Sequence, residues 1–463
     1  MGQAYPINPV DVEPVETTHR TIRTPIPHPD SVGLLEKLRR IEPQCMEGQP
    51  PIVWDRAEGA TVWDAYGNRW IDFSSGVLIT NAGHGRRRMI DRVVEQAGHG
   101  LLTSYCFPHD LRGALVEALQ KVAPRPDDKV MLLSTGSETI ELCIKLAREQ
   151  ASRRGREESV FVSFDNAFHG RTLGAQLSGG IPAGKKWIGY EDSHFVQVPF
   201  PDGGVRSRQQ DNDFAAFERT LHEAGFDPDQ VCGVLTETYQ GGNSSFAPAS
   251  YMQELRRWCD RCGAVLIMDE VQAGFGRTGT FWGFEHYGIV PDLIACGKGI
   301  SGSLPLSAVI GRPELLDLFG PGSMTSTHSG NPICCAAALA SLELILEEKL
   351  HERAARLGPV LQEGAARIRD RFPDVILANH GRGLVASLHC VRPGRTDPDE
   401  NLAWRVVGRG VQRGVMLFGP VGYAGASVKL SPPLVIEEDA LREGLEVLEQ
   451  AFAHVLNTQP VAR

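Results

Sequence analysis

Two residues in this chain have the type and the placing for carbonyl chemistry. Asp269 closes the apolar run AVLIM (264–268), and Lys298 stands between two glycines in ACGKGISG, 29 residues further on. A carboxylate fixed at a strand end can hold a proton on a ring nitrogen through a charge-assisted hydrogen bond. A lysine without bulky neighbours, partly withdrawn from water, gives up its proton more readily and becomes a nucleophile able to form a Schiff base. The GKG of Lys298 is not a Walker loop, because GxxxxGK[ST] needs a hydroxyl residue where Gly299 stands.

Other candidates follow other apolar runs. After KVMLLS (129–134) come Thr135, Gly136, Ser137 and Glu138. Small residues between a strand end and a helix start leave backbone N–H groups aligned with the positive end of the helix dipole, which makes an anion cradle. Thr-Gly-Ser is equally a good N-cap sequence. After SVFVSF (159–164), one loop holds Phe168, His169, Gly170 and Arg171. That loop offers a stacking face and a guanidinium fork, suited to a planar ring and a carboxylate, or else a core phenylalanine and a surface-paired arginine. Gly274, Gly276 and Gly279 match GxGxxG, yet the acidic pair Asp269-Glu270 precedes them and no long helix opens on them. A dinucleotide loop is therefore not expected there.

These residues need a frame that sets strand ends beside one another. The runs 129–134, 159–164, 231–237 and 264–270 are apolar throughout, and helices are expected between them, from Glu138 to about Arg154 and near 250–262. Unalternating strands spaced by helices predict an α/β fold, a parallel sheet covered on both faces with ligands at the carboxyl ends. The segment 51–73 alternates around Glu58-Gly59 and Tyr66-Gly67-Asn68, which predicts a small antiparallel sheet. Residues 1–50 read as an extended arm with a short helix near Ser31–Arg40, of the kind that packs on a partner subunit. The expected division is 1–84 for the arm and part of a small domain, 85–334 for a large domain, and 335–463 for the rest of a small α+β domain built from both chain ends.

Composition narrows the field. With 463 residues, 42% hydrophobic and 22% charged, the chain can bury a large core. The excess of Asp+Glu (57) over Lys+Arg (47) gives a net charge of −10, which argues against a nucleic-acid partner. No membrane span is expected, since the most apolar stretch, CCAAALASLELIL (334–346), falls short of the roughly 20 residues a span needs. The opening MGQAYPINPVDVEP lacks the basic start and apolar stretch of a secretory leader, and Pro6 stands where myristoylation wants Ser or Thr. The expected address is cytoplasmic. Ten cysteines with a single CxxC, Cys259–Cys262, read as reduced thiols, and no metal site is expected.

A phosphate cradle, a stacking aromatic, a strand-end aspartate and a glycine-flanked lysine are together the parts that hold pyridoxal 5′-phosphate. The segments STGSETIELCIKLAR, NAFHGRT, TETYQGG, MDEVQAGFGRTG, ACGKGISG and STHSGNP stand in this order, and with WDAYGNRWIDFSSG and SPPLVIEEDALREGL the chain resembles the class III (ω) aminotransferases of fold type I. The resemblance covers nearly the whole length. It implies a mostly parallel seven-stranded sheet in the large domain and an aminotransferase working by a ping-pong Schiff-base cycle. It implies that Lys298 carries the cofactor and then acts as the base, and that Asp269 keeps the ring nitrogen protonated. By the same resemblance Gly136 and Ser137 hold the phosphate with Thr327 of the partner subunit, in a homodimer that can pair into a tetramer. Phe168 stacks on the ring with His169 beside it, Gln272 approaches the phenolic oxygen, and Glu237 fills an acidic position near the cofactor.

The chain departs from many relatives at two positions. Where those acting on α,ω-amino acids carry an arginine and a gating glutamate, it has Lys429 and Gly242. Arg171 matches the arginine that receives a distal carboxylate. Glutamate/2-oxoglutarate is thus the expected amino donor and acceptor pair, with Lys429 a weaker point-charge receptor. The other substrate is expected to be an amine without an α-carboxylate, such as a diamine, an amino sugar or a biosynthetic aldehyde's amine. The alternatives are a racemase or epimerase of the same family, which needs a second base facing Lys298 (Tyr239, Tyr105 or His328), a decarboxylating relative, an NAD(P)-binding oxidoreductase, and a non-catalytic binding module.

Overall fold

The computed structural model describes residues 3–156, 158–202 and 213–458. Met1 and Gly2, at the start of the segment read for leader and acylation signals, lie outside them. Two compact units emerge, one of residues 87–352 and one that joins the residues up to 86 with those from 353 onward.

In the first unit the apolar runs form one seven-stranded sheet. Its strands are β1 (Lys129–Leu133), β2 (Val160–Phe164), β3 (Phe195–Val198), β4 (Val231–Glu237), β5 (Val265–Asp269), β6 (Leu293–Cys296) and β7 (Ser307–Gly311). They lie in the order β1-β7-β6-β5-β4-β2-β3. Only β7 breaks the parallel arrangement, running antiparallel to both β6 and β1. Every residue of β2, β4 and β5 is buried, which is why these strands show no alternation in sequence. The β4–β5 register sets Glu237 against Asp269 at the carboxyl ends.

Helix α1 (Gly136–Arg153) starts where its sequence says it should. Thr135 accepts the Glu138 N–H at 3.2 Å, and the Glu138 carboxylate accepts the N–H groups of Thr135 at 3.0 Å and Ser134 at 2.7 Å. This reciprocal cap fixes the turn between β1 and α1, the predicted cradle. Helix α2 (Ala249–Cys262) leads into β5. Helix α3 (Pro332–Glu347) is capped by the Asn331 side chain, which accepts from the N–H groups of Ile333 and Cys334. It contains the stretch 334–346 and is buried on most sides, so its apolarity serves the protein core. No helix among the described residues is long and apolar enough to cross a membrane.

The second unit holds the predicted antiparallel sheet. Arg56–Glu58, Thr61–Trp63 and Arg69–Asp72 pair antiparallel, and Val415–Met416 joins Arg69–Asp72 in parallel, so distant parts of the chain share one sheet. The expected arm is partly tied to its own chain, since Val15–Glu16 pairs with Thr21–Ile22, and Thr21 pairs with Arg69. The predicted short helix is present at Val32–Ile41. A second sheet of Ile376–Arg382, Val385–Cys390 and Ser427–Leu430 is antiparallel throughout.

Candidate active site

Asp269 is the last residue of β5 and almost fully buried. One carboxylate oxygen accepts the Val271 N–H at 3.0 Å, and the other lies 2.8 Å from His169 Nδ1. The His169 side chain is fully enclosed, and its Nε2 is buried with no protein partner. A buried charge needs a hydrogen-bonded partner to persist, and His169 provides it from the loop after β2.

Lys298 follows β6 through Gly297 and sits at φ 45°, a left-handed conformation that is rare for a residue with a side chain. Holding it there costs about 1 kcal/mol, the kind of strain found where side-chain placement matters more than stability. Burial pushes its amine below the ordinary lysine range, against the pull of the Asp269 and Glu237 carboxylates. The shift is in the direction that makes the amine nucleophilic.

Glu237 ends β4 and accepts the N–H groups of Phe168 at 3.1 Å and Gly241 at 2.8 Å. Burial drives its carboxyl up to about 7; the nearby His169 holds it down and Asp269 pushes it further up. A Cβ on Gly241 would fall 2.5 Å from Gln272 Nε2 and 2.7 Å from Glu237 Oε1, so a side chain here would displace the ends of both. Gly136 lies against the Val271 side chain, where a Cβ would come within 3.0 Å. The cradle therefore abuts the loop that follows Asp269. Ser307 of β7 fixes it from the other side by donating to the Thr135 carbonyl at 2.8 Å.

Phe168 is 39% exposed, unusual for a phenylalanine on a loop this well packed, and the Arg171 guanidinium lies over its ring at 5.6 Å. Among the described residues Arg171 makes no ion pair, and the surface-paired reading of this arginine does not hold.

The first unit thus brings Asp269, His169, Glu237, Gln272 and the Gly136 cradle into one connected set around the ends of β1, β2, β4 and β5, with Lys298 after β6. Thr327 is exposed on a loop that Ser326 ties to Glu138 at 3.3 Å, and no bond joins it to Gly136 or Ser137 within its own chain. Lys429 belongs to the second unit, on Ser427–Leu430, and is buried. Of the candidate second bases, the Tyr239 hydroxyl donates to the Gln272 carbonyl at 3.3 Å, while Tyr105 and His328 are exposed. The GxGxxG run folds as consecutive turns leading into the short 3₁₀ helix Gly283–Tyr287, with no helix opening on its glycines.

Glu270, next to Asp269 in the chain, braces the loops behind the site. It is fully buried, accepts from Thr238 Oγ1 and from the N–H groups of Gly283 at 2.7 Å and Phe284 at 2.9 Å, and burial raises it to about 7.

The residues present fit a pyridine aldehyde phosphate. The Lys298 amine of lowered basicity would take the aldehyde, the histidine-backed Asp269 carboxylate would take the ring nitrogen, and the exposed Phe168 face would cover the ring, while His169 Nε2 is a buried polar atom with no protein partner. Combined with the seven-stranded α/β unit, this defines a pyridoxal 5′-phosphate-dependent enzyme of fold type I. The sequence profile of aminotransferase class-III matches residues 44–452. The chain is 33% identical to the 5-aminovalerate aminotransferase of Pseudomonas aeruginosa, over 91% of this chain and 98% of that protein. It is 32% identical to the 4-aminobutyrate aminotransferase of Escherichia coli, over 90% and 97%. The solved ornithine aminotransferase of Toxoplasma gondii superposes with a TM-score of 0.82 at 28% identity, covering 93% of this chain and 96% of that one. The chain belongs to the class III aminotransferases, and it acts on small-molecule amine and keto-acid substrates with pyridoxal 5′-phosphate as cofactor.

Proposed function

We propose that this aminotransferase takes its amino group from glutamate, returns 2-oxoglutarate, and passes the group to an aldehyde or ketone whose amine product lacks an α-carboxylate. The observation that carries the reading is Arg171, a guanidinium without an ion pair among the described residues, stacked beside the ring face of Phe168. A carboxylate at the far end of a dicarboxylic substrate is the natural partner for such a fork. Lys429, buried on its strand, serves as a point-charge receptor for the remaining carboxylate. The names of the relatives support an amine at a chain end, since 5-aminovalerate and 4-aminobutyrate both carry the amino group there.

When bound, pyridoxal 5′-phosphate supplies a carbonyl carbon for amine exchange and a ring that takes up the electron pair left by deprotonation. The protein supplies the rest. Lys298 Nζ, its basicity lowered by burial, would take the proton from the amine-bearing substrate carbon and deliver it to the cofactor carbon on the other side of the transferred nitrogen. Asp269, braced by His169, keeps a positive charge on the ring nitrogen. Gly136 and Ser137 would give the N–H groups at the start of α1 to the phosphate, Thr327 of the partner subunit would add its hydroxyl, and Phe168 would cover the ring. Gln272 approaches the phenolic oxygen, with Glu237 beside it. The functional unit is a homodimer with shared sites, able to pair into a tetramer, in the cytoplasm.

An Arg171→Met variant tests the donor. With L-glutamate its KM rises about tenfold or more, the loss of a bidentate charge-assisted contact, while turnover with a donor lacking a distal carboxylate is unchanged. An unchanged KM for glutamate, measured by release of 2-oxoglutarate, rejects the assignment.

A further inference from the structure

The amino ends of the sheet carry a second charged depression, remote in kind from the site at the carboxyl ends. It is a cleft of about 660 Å³, in the range of small-molecule sites. Ser159, just before β2, and His194, just before β3, mark it as an amino-end feature. Its floor is one face of α1, where Lys145, Arg148, Glu149 and Ser152 follow the helical spacing of three, four and seven residues.

The cations of this cleft are not paired with its acids among the described residues. Glu149 is engaged by Arg153 at 2.8 Å, whereas Asp192, 3.4 Å from the His194 ring, is offset only when that imidazole is protonated. Among the described residues Lys145, Arg148 and Arg156 form no ion pair, and Arg156 donates only to the Cys262 carbonyl at 2.9 Å. Among the described residues Asp192 and Glu158 remain beside the three cations.

The cations are also held in place. The Arg148 guanidinium lies 4.7 Å over the Phe195 ring, and the Lys145 ammonium lies 5.4 Å over the Phe319 ring. Arg148 makes no hydrogen bond among the described residues, and its buried Nε has no partner. A guanidinium positioned by an aromatic ring, with its donors unspent, is preorganised for an anion.

We propose that this cleft is a second ligand site, for a small organic anion bearing a phosphate or clustered carboxylates, gripped by Arg148 and Lys145 with Arg156 at the rim. The assignment does not depend on the transamination reading, since none of these residues belongs to the cofactor set.

The test is titration calorimetry on the holoenzyme, whose cofactor site is already filled, with pyrophosphate in one arm and citrate in the other. Saturable binding in either arm is expected, and the arm that binds identifies the source of the charge. Arg148→Met and Lys145→Glu should each weaken it about tenfold or more, with the aminotransferase activity measured without added anion unchanged. Lys145 is exposed, so its variant reads the site even where loss of the Arg148–Phe195 contact harms folding. Absence of saturable binding in both arms, or binding that Lys145→Glu leaves intact, overturns the proposal.

Discussion

The two ends of the seven-stranded sheet bury carboxylates in opposite ways. At the amino end, Asp292 is nearly inaccessible; its carboxylate accepts the Leu266 N–H at 2.8 Å and Arg256 at 2.9 Å and forms an ion pair with Arg312 at 3.3 Å. Asp128, fully buried, is likewise met by Arg125 at 3.3 Å. At the carboxyl end, Glu237 has two backbone N–H groups and no arginine, Asp269 has a histidine, and a lysine of lowered basicity stands nearby. In the first arrangement each carboxylate is met by arginine, although Arg256 Nε and Arg312 Nε are themselves buried without a partner. In the second the carboxylates meet no arginine and a lysine of lowered basicity stands beside them, the kind of perturbed cluster that marks a ligand site.

The largest effect that sharpens this contrast is at Lys298. Lys298→Ala should lower transamination by about 10⁴-fold or more, as when a covalent nucleophile and base is removed, with circular dichroism unchanged. Activity within a few-fold of wild type would move the chemistry elsewhere. Asp292→Asn is the mirror experiment. It leaves Arg256 and Arg312 facing a neutral amide in a buried setting, and should cost about 3 kcal/mol in urea unfolding with turnover per folded molecule unchanged. Loss of turnover without loss of stability would break the comparison.

Glu237 gives the next effect, through pH. Its folded-state value of about 7 lies above the ordinary 4.5, so the folded protein keeps a proton that the unfolded chain releases. Stability therefore falls as pH rises from about 4.5 to about 7, and the loss is complete above that; the shift corresponds to at most about 3 kcal/mol. In the cofactor-free protein, Glu237→Gln should flatten the dependence of the urea midpoint across this window. Glu270, also raised to about 7, contributes equally in both proteins, so equal slopes would assign the whole effect to it.

The sequence made one side of this comparison readable. Asp269, Glu237 and Gly136 stand immediately after or at the end of runs that do not alternate, and a parallel sheet buried on both faces brings such ends together whatever the strand order. Partnership was not readable. His169 meets Asp269 across 100 positions, a contact that exists only because β4 lies between β2 and β5. The Ser307 support of the cradle depends on β7 running antiparallel between β1 and β6, and no local pattern announces that reversal. The roles of Thr327 and Lys429 came from resemblance alone, since neither stands at an end of this sheet. At the amino end, Arg256, Arg257 and Arg261 look in sequence like an ordinary basic helix face, and only the fold shows that Asp292 selects the first of them.

The smallest effect isolates burial from pairing. Lys129 opens β1 and pairs with Asp317, so in sequence terms it resembles the Asp292 cluster, a charge at a strand terminus with an opposite charge against it. Both partners are about half exposed, at 49% and 58% of their side-chain surface. Water already solvates these charges, and the pair gains little from contact while it restrains two flexible side chains. Lys129→Ala should therefore change stability by less than about 0.5 kcal/mol, against about 3 kcal/mol for Asp292→Asn, under the same urea protocol. Were the two losses equal, ion pairing itself would hold the amino end together, and the uncompensated carboxylates at the carboxyl end would lose their meaning as the mark of a ligand site. A small loss at Lys129 beside a large one at Asp292 places the distinction in desolvation, the same quantity that lowers the basicity of Lys298 and raises Glu237.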